Sequence, residues 1–219
     1  MIDEILKKHE KELYNIKHVY YNNNNNSDLL FVSFAGKVNF YVNSTWFYNN
    51  NEIKAHFLFL KNDPFYDTYS NINYQKIISY YIHHYKIKNI ITYGLSMGAV
   101  ASLYYGILFK AQLIISIDPH PINFVMNKLY KLIEDTHFNF EKIYINYTFS
   151  DKNTATNIPN HTNNIIQKLM LKNILLTIQP FVSNKHLDFV TSKKYLNEII
   201  LKFLCLKVEK YKKKLPTLI

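Results

Sequence analysis

The sequence predicts an α/β fold, a mostly parallel β-sheet covered by helices on both faces. Short apolar runs alternate with amphipathic segments of helical period along the 219-residue chain. Some of these runs, such as Leu29–Phe34, are apolar almost throughout, as expected of strands that are buried on both faces. Strands that alternate with helices favour parallel pairing. Since 219 residues are enough for one domain with a core but few for two, we expect a single domain over residues 1–219.

The elements expected from these patterns begin with a charged N-terminal segment. Residues 1–28 are predicted to hold a short helix and an edge strand, and residues 207–219 a basic tail. Residues 37–53, rich in aromatic residues and asparagine, are predicted to form a loop on the substrate side. Strands are expected at 16–21, 29–34, 55–60, 90–93, 113–117, 143–149 and 174–178. Helices are expected at 3–15, 72–85, 99–108, 124–133, 160–171 and 191–206.

Composition narrows the class of protein. No apolar run reaches the length of about 20 residues that a membrane span needs. The N-terminus lacks the apolar core of a signal peptide. The single cysteine, Cys205, lies in an apolar run and is expected to be a buried, inert thiol. These features predict a cytoplasmic protein.

The net charge of +10 comes from lysine, since the chain contains no arginine. Arginine supplies the bidentate contacts to phosphate and guanine on which nucleic-acid binding proteins rely. We therefore expect no nucleic-acid partner. An acidic partner, such as an acidic carrier protein, is left open. No His, Cys, Asp or Glu cluster has metal-ligand spacing, so we expect no metal and no cofactor.

The most informative stretch is Gly94-Leu95-Ser96-Met97-Gly98. It follows a β-branched and aromatic run and precedes a helix-forming segment, which is the context that makes G-x-S-x-G a nucleophile elbow. Small residues two positions either side of Ser96 allow strand and helix to pass closely. The amide of Met97, at the helix N-terminus, is placed to bind a developing oxyanion.

The chain resembles the α/β-hydrolase superfamily from about residue 16 to residue 206. The resemblance rests on GLSMG at the elbow, FSD after the penultimate strand, KHLDF after the last strand, and FAG after an early strand. More loosely, SMGAVASLYYG followed by IDPHP is similar to small bacterial hydrolases associated with surface-glycan assembly. No large lid insertion is visible in the sequence.

The resemblance implies a triad of Ser96, Asp151 and His186, in the chain order of this superfamily. Asp118, one strand earlier, is the alternative acid. His120 and His161 also lie near strand exits and are less favoured as the base.

The resemblance also implies where the oxyanion hole and the substrate pocket lie. Ala35 is expected to supply the second oxyanion donor beside Met97, with Phe34 or Gly36 possible by a shift of one residue. The pocket is expected to be lined by Phe34, Tyr41, Trp46 and Leu95.

The function predicted from these residues is that of a serine esterase acting through an acyl-enzyme on a small acyl or glycan O-acyl ester. Two alternatives are open. One is an acyltransferase or thioesterase that acts on an acyl-carrier protein, whose acidic surface suits the excess of lysine. The other is a non-catalytic binding module. The sequence does not identify the acyl group, the alcohol or the oligomeric state.

Overall fold

The computed structural model describes residues 4–36, 41, 44–61, 69–120, 123–137, 142–149, 158–172, 174–182, 196 and 198–202. The chain divides into two compact units, residues 1–188 and 189–219. In the second unit the described residues, Leu196 and 198–202, are helical. The organisation of the whole chain as one domain stays a prediction.

The described part of the first unit forms an eight-stranded sheet with helices between the strands. The strands are β1 (Glu10–Leu13), β2 (Ile16–Asn22), β3 (Leu29–Phe34), β4 (His56–Leu60), β5 (Asn89–Leu95), β6 (Leu113–Ile117), β7 (Lys142–Phe149) and β8 (Leu175–Val182). The helices are α1 (Glu4–Lys7), α2 (Ser44–Asn49), α3 (Ile72–His84), α4 (Met97–Leu108), α5 (Asn123–Asp135) and α6 (Ile158–Met170).

The strand order is β1-β2-β4-β3-β5-β6-β7-β8. Strand β2 runs antiparallel to both β1 and β4, and the pairs from β4 to β8 are parallel. The predicted mostly parallel α/β sheet is therefore confirmed. Between β6 and β7, α5 is the helix that the described residues contain, and no large lid is seen among them.

Strand β3 shows why helices cover both faces of the sheet. Its side chains alternate between the faces, and Leu30, Val32 and Phe34 join the core that α3, α4, α5 and α6 share. Phe31 points to the opposite face, where its ring lies 4.4 Å from that of Phe47 on α2. A strand buried on both sides needs this nearly continuous run of apolar residues.

The predicted N-terminal helix over residues 3–15 is wrong beyond its first turn. Helix α1 ends at Lys7, and residues 10–13 form edge strand β1, which pairs with β2. Tyr14 and Asn15 have φ angles of 52° and 61°, the backbone of a two-residue hairpin turn. The charges that suggest a helical surface instead lie on an edge strand, where charged side chains are common.

Two further elements differ from the expected ones. The predicted loop at 37–53 contains helix α2, whose Phe47 is fully buried. Strand β8 continues to Val182, past the point where a loop is expected from Pro180. Because β8 is the last strand of the described sheet, a proline without an N–H group is tolerated there. No helix among the described residues is long and apolar enough to span a bilayer.

Candidate active site

Ser96 lies between the last residue of β5 and the first residue of α4, in a strained backbone conformation. Its φ and ψ angles are 55° and −119°. A residue other than glycine adopts a positive φ only where the surrounding structure imposes it, and such residues concentrate at functional sites. The predicted sequence of strand, sharp turn and helix at Ser96 is confirmed.

Two glycines flank this turn because the backbone leaves no room for a side chain. A Cβ atom on Gly94 would lie 1.9 Å from the carbonyl oxygen of Gly98. A Cβ atom on Gly98 would lie 2.2 Å from the carbonyl oxygen of Phe34 and 2.5 Å from that of Ala35. The N-terminus of α4 therefore packs directly on the backbone that leaves β3.

The exit of β6 holds the backbone of Ser96 on both sides. The Ser96 N–H donates to the carbonyl of Ile117 at 2.9 Å, and the Ser96 carbonyl accepts from the N–H of His120 at 3.1 Å. The turn between them depends on Asp118, which has a φ of 53° and donates its N–H to the carbonyl of Asn146 at 2.7 Å. Neighbouring strand β6 thus fixes the position of the serine.

Asp118 itself is 1% exposed. Burial of a carboxylate is costly unless partners compensate for the loss of water. Its position directly after β6 places its backbone in the turn that contacts Ser96. It therefore remains the alternative acid of the expected triad.

The loop after β3 passes beside Ser96 at Gly36. A Cβ atom on Gly36 would lie 3.4 Å from the Ser96 Cβ and 4.0 Å from the Ser96 Oγ. The amide of Ala35, the expected oxyanion donor, already donates to the carbonyl of Leu60 in β4 at 3.0 Å. Because successive amides of a strand face opposite neighbours, the next N–H, that of Gly36, is expected to face the side of β5.

The Ala35 N–H is therefore already paired, whereas Gly36, the alternative one residue later, lies against Ser96; the identity of the second donor stays a prediction. Met97, the other expected donor, is the first residue of α4, and its N–H has no acceptor within the helix. The Gly36 amide belongs to the loop after β3, which passes beside Ser96, and the Met97 amide begins the helix that directly follows Ser96.

Tyr69, a residue that sequence analysis did not select, supports the loop after β3. Its hydroxyl donates to the carbonyl of Ala35 at 2.8 Å and lies 3.2 Å from that of Leu60. Its own carbonyl accepts from the Tyr105 hydroxyl on α4 at 2.6 Å. Burial raises the pKa of Tyr69 well above its usual value, so the hydroxyl stays protonated as a donor.

No local pattern marks Tyr69 among the 19 tyrosines of the chain. Its partners lie 9 to 36 positions away in sequence, so the contacts arise only from the tertiary fold. A backbone φ of 55° at Tyr69 is visible only in the structure.

The four residues expected to line the pocket differ in their burial and contacts. Phe34 is fully buried, and its ring stacks on Tyr105 at 5.4 Å, so its role in the pocket stays a prediction. Tyr41 is 5% exposed and donates its hydroxyl to the carboxylate of Glu10 at 2.8 Å. Leu95 is buried immediately before Ser96. Trp46 belongs to α2, and its side chain lies outside the described residues.

Asp151 and His186 also lie outside the described residues, so their roles stay predictions. His120 is partly exposed beside Ser96, and His161 is partly exposed on α6. His83 and His84 are both exposed on α3. The described residues contain no group of three or more His, Cys, Asp or Glu side chains that could hold a metal ion.

No protein-family model and no curated protein matches the sequence. The structure, in contrast, matches many solved structures. The capsule O-acetyltransferase of Neisseria meningitidis serogroup A, a mutant in complex with CoA, has a TM-score of 0.63 and 16% identity. That match covers 87% of this chain and 94% of the transferase.

Two other matches are esterases or lipases by name. Est1E from Butyrivibrio proteoclasticus has a TM-score of 0.58 and 12% identity, covering 90% of this chain and 98% of Est1E. A hormone-sensitive lipase from a metagenome library has a TM-score of 0.57 and 9% identity, covering 89% and 80%. The chain therefore has the α/β-hydrolase fold.

Proposed function

We propose that this α/β-hydrolase fold carries a serine enzyme that cleaves carboxylic esters, with Ser96 as its nucleophile. The observation that supports this most is the conformation of Ser96. It has a positive φ at the tip of a strand–helix turn, and the last residue of β6 and His120 in the turn that follows bind its backbone N–H and carbonyl. Strain of this kind persists only where packing and hydrogen bonds over-determine the backbone.

The proposed reaction begins when the Ser96 hydroxyl attacks the ester carbonyl carbon and His186 accepts its proton. Asp151, with Asp118 as the alternative, orients the imidazole and stabilises its charged form. The N–H groups of Met97 and Gly36 stabilise the negative oxygen of the tetrahedral intermediate. The alcohol leaves with the proton from His186, and water then hydrolyses the acyl-enzyme by the same steps.

The substrate that we propose is a small acyl ester or a glycan O-acyl ester. Transfer of the acyl group to a second hydroxyl instead of water is the second candidate. The O-acetyltransferase of similar fold, whose structure is a complex with CoA, favours including it. An acidic carrier protein as partner remains a prediction from the lysine content, and a cytoplasmic location remains a prediction as well.

Turnover of 4-nitrophenyl acetate by wild type and by Ser96→Ala tests the proposal. We expect Ser96→Ala to lower kcat by about 10⁴- to 10⁶-fold, as loss of the nucleophile does in related chemistry, while circular dichroism stays unchanged. Ser79→Ala, a partly exposed serine on α3, is the matched control and should keep full activity. Equal turnover by Ser96→Ala and wild type would reject the serine mechanism.

A further inference from the structure

The peptide that joins Ala35 to Gly36 has two ends with different partners. Its carbonyl oxygen accepts the Tyr69 hydroxyl at 2.8 Å. Its N–H belongs to Gly36, whose Cα carries no side chain where it passes Ser96. Since a trans peptide is planar, its C=O and N–H point in opposite directions. A group that fixes the carbonyl therefore also fixes the direction of the Gly36 N–H.

Tyr69 is well placed to fix this carbonyl. It is fully buried, and its ring packs edge-on against Phe34 at 5.4 Å, so the phenol has little freedom to move. The Tyr105 hydroxyl binds the Tyr69 carbonyl at 2.6 Å. Tyr105 stands on α4, the helix whose first amide is that of Met97. The peptide between Ala35 and Gly36 is thus linked through a pair of tyrosines to the helix that begins at Met97.

We propose that Tyr69, held by Tyr105, is a positioning residue that aims the Gly36 N–H into the oxyanion hole of Ser96. This inference rests on the proposed serine mechanism and names a part of it that lies outside the triad. Tyr69 itself does not touch the substrate. Its hydroxyl restrains one peptide plane, so that the Gly36 amide is already oriented before negative charge develops on the substrate oxygen.

The test compares Tyr69→Phe with Tyr74→Phe. Tyr74 is a matched control because it is also fully buried, its ring lies 5.0 Å from that of Tyr69, and its hydroxyl donates to the carbonyl of Lys61 at 3.0 Å. Each variant removes one buried hydroxyl from the same cluster, but only Tyr69→Phe frees the peptide between Ala35 and Gly36.

We expect Tyr69→Phe to lower kcat on 4-nitrophenyl acetate by about 10- to 100-fold with KM nearly unchanged. Complete removal of an oxyanion donor costs about 10²- to 10³-fold, and misdirection of one should cost less. Affinity for a trifluoromethyl ketone, which forms an oxyanion adduct with serine enzymes, should fall in parallel. Tyr74→Phe should leave kcat and this affinity within about twofold of wild type, per mole of folded protein.

The inference is overturned if Tyr69→Phe and Tyr74→Phe lose thermal stability alike while both keep wild-type kcat and ketone affinity. If Tyr69→Phe does not fold, Tyr105→Phe replaces it and should show a smaller loss of kcat in the same direction. Wild-type kcat in Tyr105→Phe would then overturn the inference. Activity that survives in Ser96→Ala would instead reject the proposed function, so the two failures are distinguishable.

Discussion

Two clusters of buried polar groups in this chain both use tyrosine hydroxyls, but for different partners. In the first, which we call the site network, Tyr69 and Tyr105 donate to the backbone carbonyls of Ala35 and Tyr69. In the second, which we call the edge network, tyrosine hydroxyls of β2 and α3 bind two buried histidines, His18 of β2 and His56 of β4.

The edge network leaves no ring nitrogen of these histidines unmatched. His18 donates from Nδ1 to the Ile16 carbonyl at 3.1 Å, and its Nε2 lies 2.8 Å from the Tyr81 hydroxyl. His56 donates from Nε2 to the carbonyl of Ser27 at 3.0 Å, and its Nδ1 lies 2.7 Å from the Tyr20 hydroxyl. Because a carbonyl only accepts, the nitrogen beside each carbonyl carries a proton. Burial lowers the pKa of both histidines and so favours the neutral ring, in which the second nitrogen accepts from the tyrosine hydroxyl.

The two networks are expected to respond differently to pH. The edge network depends on neutral imidazole and is therefore sensitive to pH. The site network contains phenols and peptide groups, which do not titrate near neutral pH, so its geometry should not change with pH there. A pH dependence of activity should then come from the triad, and a pH dependence of stability should come in part from the edge.

The largest expected effect comes from a substitution in the proposed triad, which disables the proton transfer and leaves both networks intact. Asp151→Asn should lower kcat by about 10⁴-fold, because the amide no longer holds the histidine in the productive tautomer. Asp118→Asn should cost less. Asparagine tolerates the positive φ of position 118, so this variant keeps the turn that holds Ser96. Steady-state kinetics of both variants give the ranking, and the reverse ranking would assign the acid to Asp118.

A smaller effect should follow when the geometry of the site is disturbed. Gly98→Ala places a Cβ atom against the carbonyls of Phe34 and Ala35, so α4 and the loop after β3 must separate. A displacement of about 1 Å near reacting groups can cost about 10²-fold in rate. We expect Gly98→Ala to lower kcat by roughly this factor in the protein that remains folded.

Gly106→Ala is the control for this effect. Its Cβ would meet side chains of Thr92 and Ile114, at 2.6 and 2.7 Å, away from the turn that holds Ser96. Both variants should lower the melting temperature, but only Gly98→Ala should lower kcat per folded molecule. Equal losses of kcat would indicate that packing of α4, not the geometry of the oxyanion loop, controls the rate.

The smallest expected effect concerns the edge network. Burial is the main cause that lowers the pKa of both His18 and His56 below the usual 6.5. The unfolded chain therefore takes up protons below about pH 6.5 before the folded protein does. The two histidines make their full contribution to the free energy of unfolding above about pH 6.5. As the pH falls below this value the contribution decreases, by at most about 1.4 kcal/mol per pH unit for each proton that the unfolded chain binds in excess of the folded protein.

Urea denaturation between pH 7.5 and pH 5 measures this slope. His18→Gln should be less stable than wild type at pH 7.5 but should show a shallower loss of stability on acidification. His84→Gln, at an exposed position on α3, is the control and should keep the wild-type slope. A slope that is unchanged in His18→Gln would show that the edge network does not respond to pH.

The elbow could be predicted from sequence because its determinants are local. An apolar β-branched run, two glycines around Ser96 and a helix-forming segment lie within about 20 residues, and each favours the same turn. The parallel sheet could be predicted for the same reason, since the period of each element is a local property.

The elements that sequence analysis missed depend on contacts distant in sequence. Residues 10–13 carry charges at helical spacing, and only pairing with β2 makes them a strand. The sequence leaves the oxyanion donor open between Ala35 and Gly36, because it does not show which amide at the end of a strand faces the neighbouring strand. The sequence also does not show that the Phe34 side chain is fully buried, because aromatic residues occur both in cores and in pockets.

The central claim is that Ser96 is an activated nucleophile, and a fluorophosphonate probe tests it most directly. The probe modifies only a serine whose hydroxyl is activated, and it does so whatever the natural ester is. We expect intact-mass analysis to show one adduct on wild type, peptide mapping to place it on Ser96, and Ser96→Ala to remain unmodified. An unmodified wild-type protein, or an equal adduct on Ser96→Ala, would contradict the account.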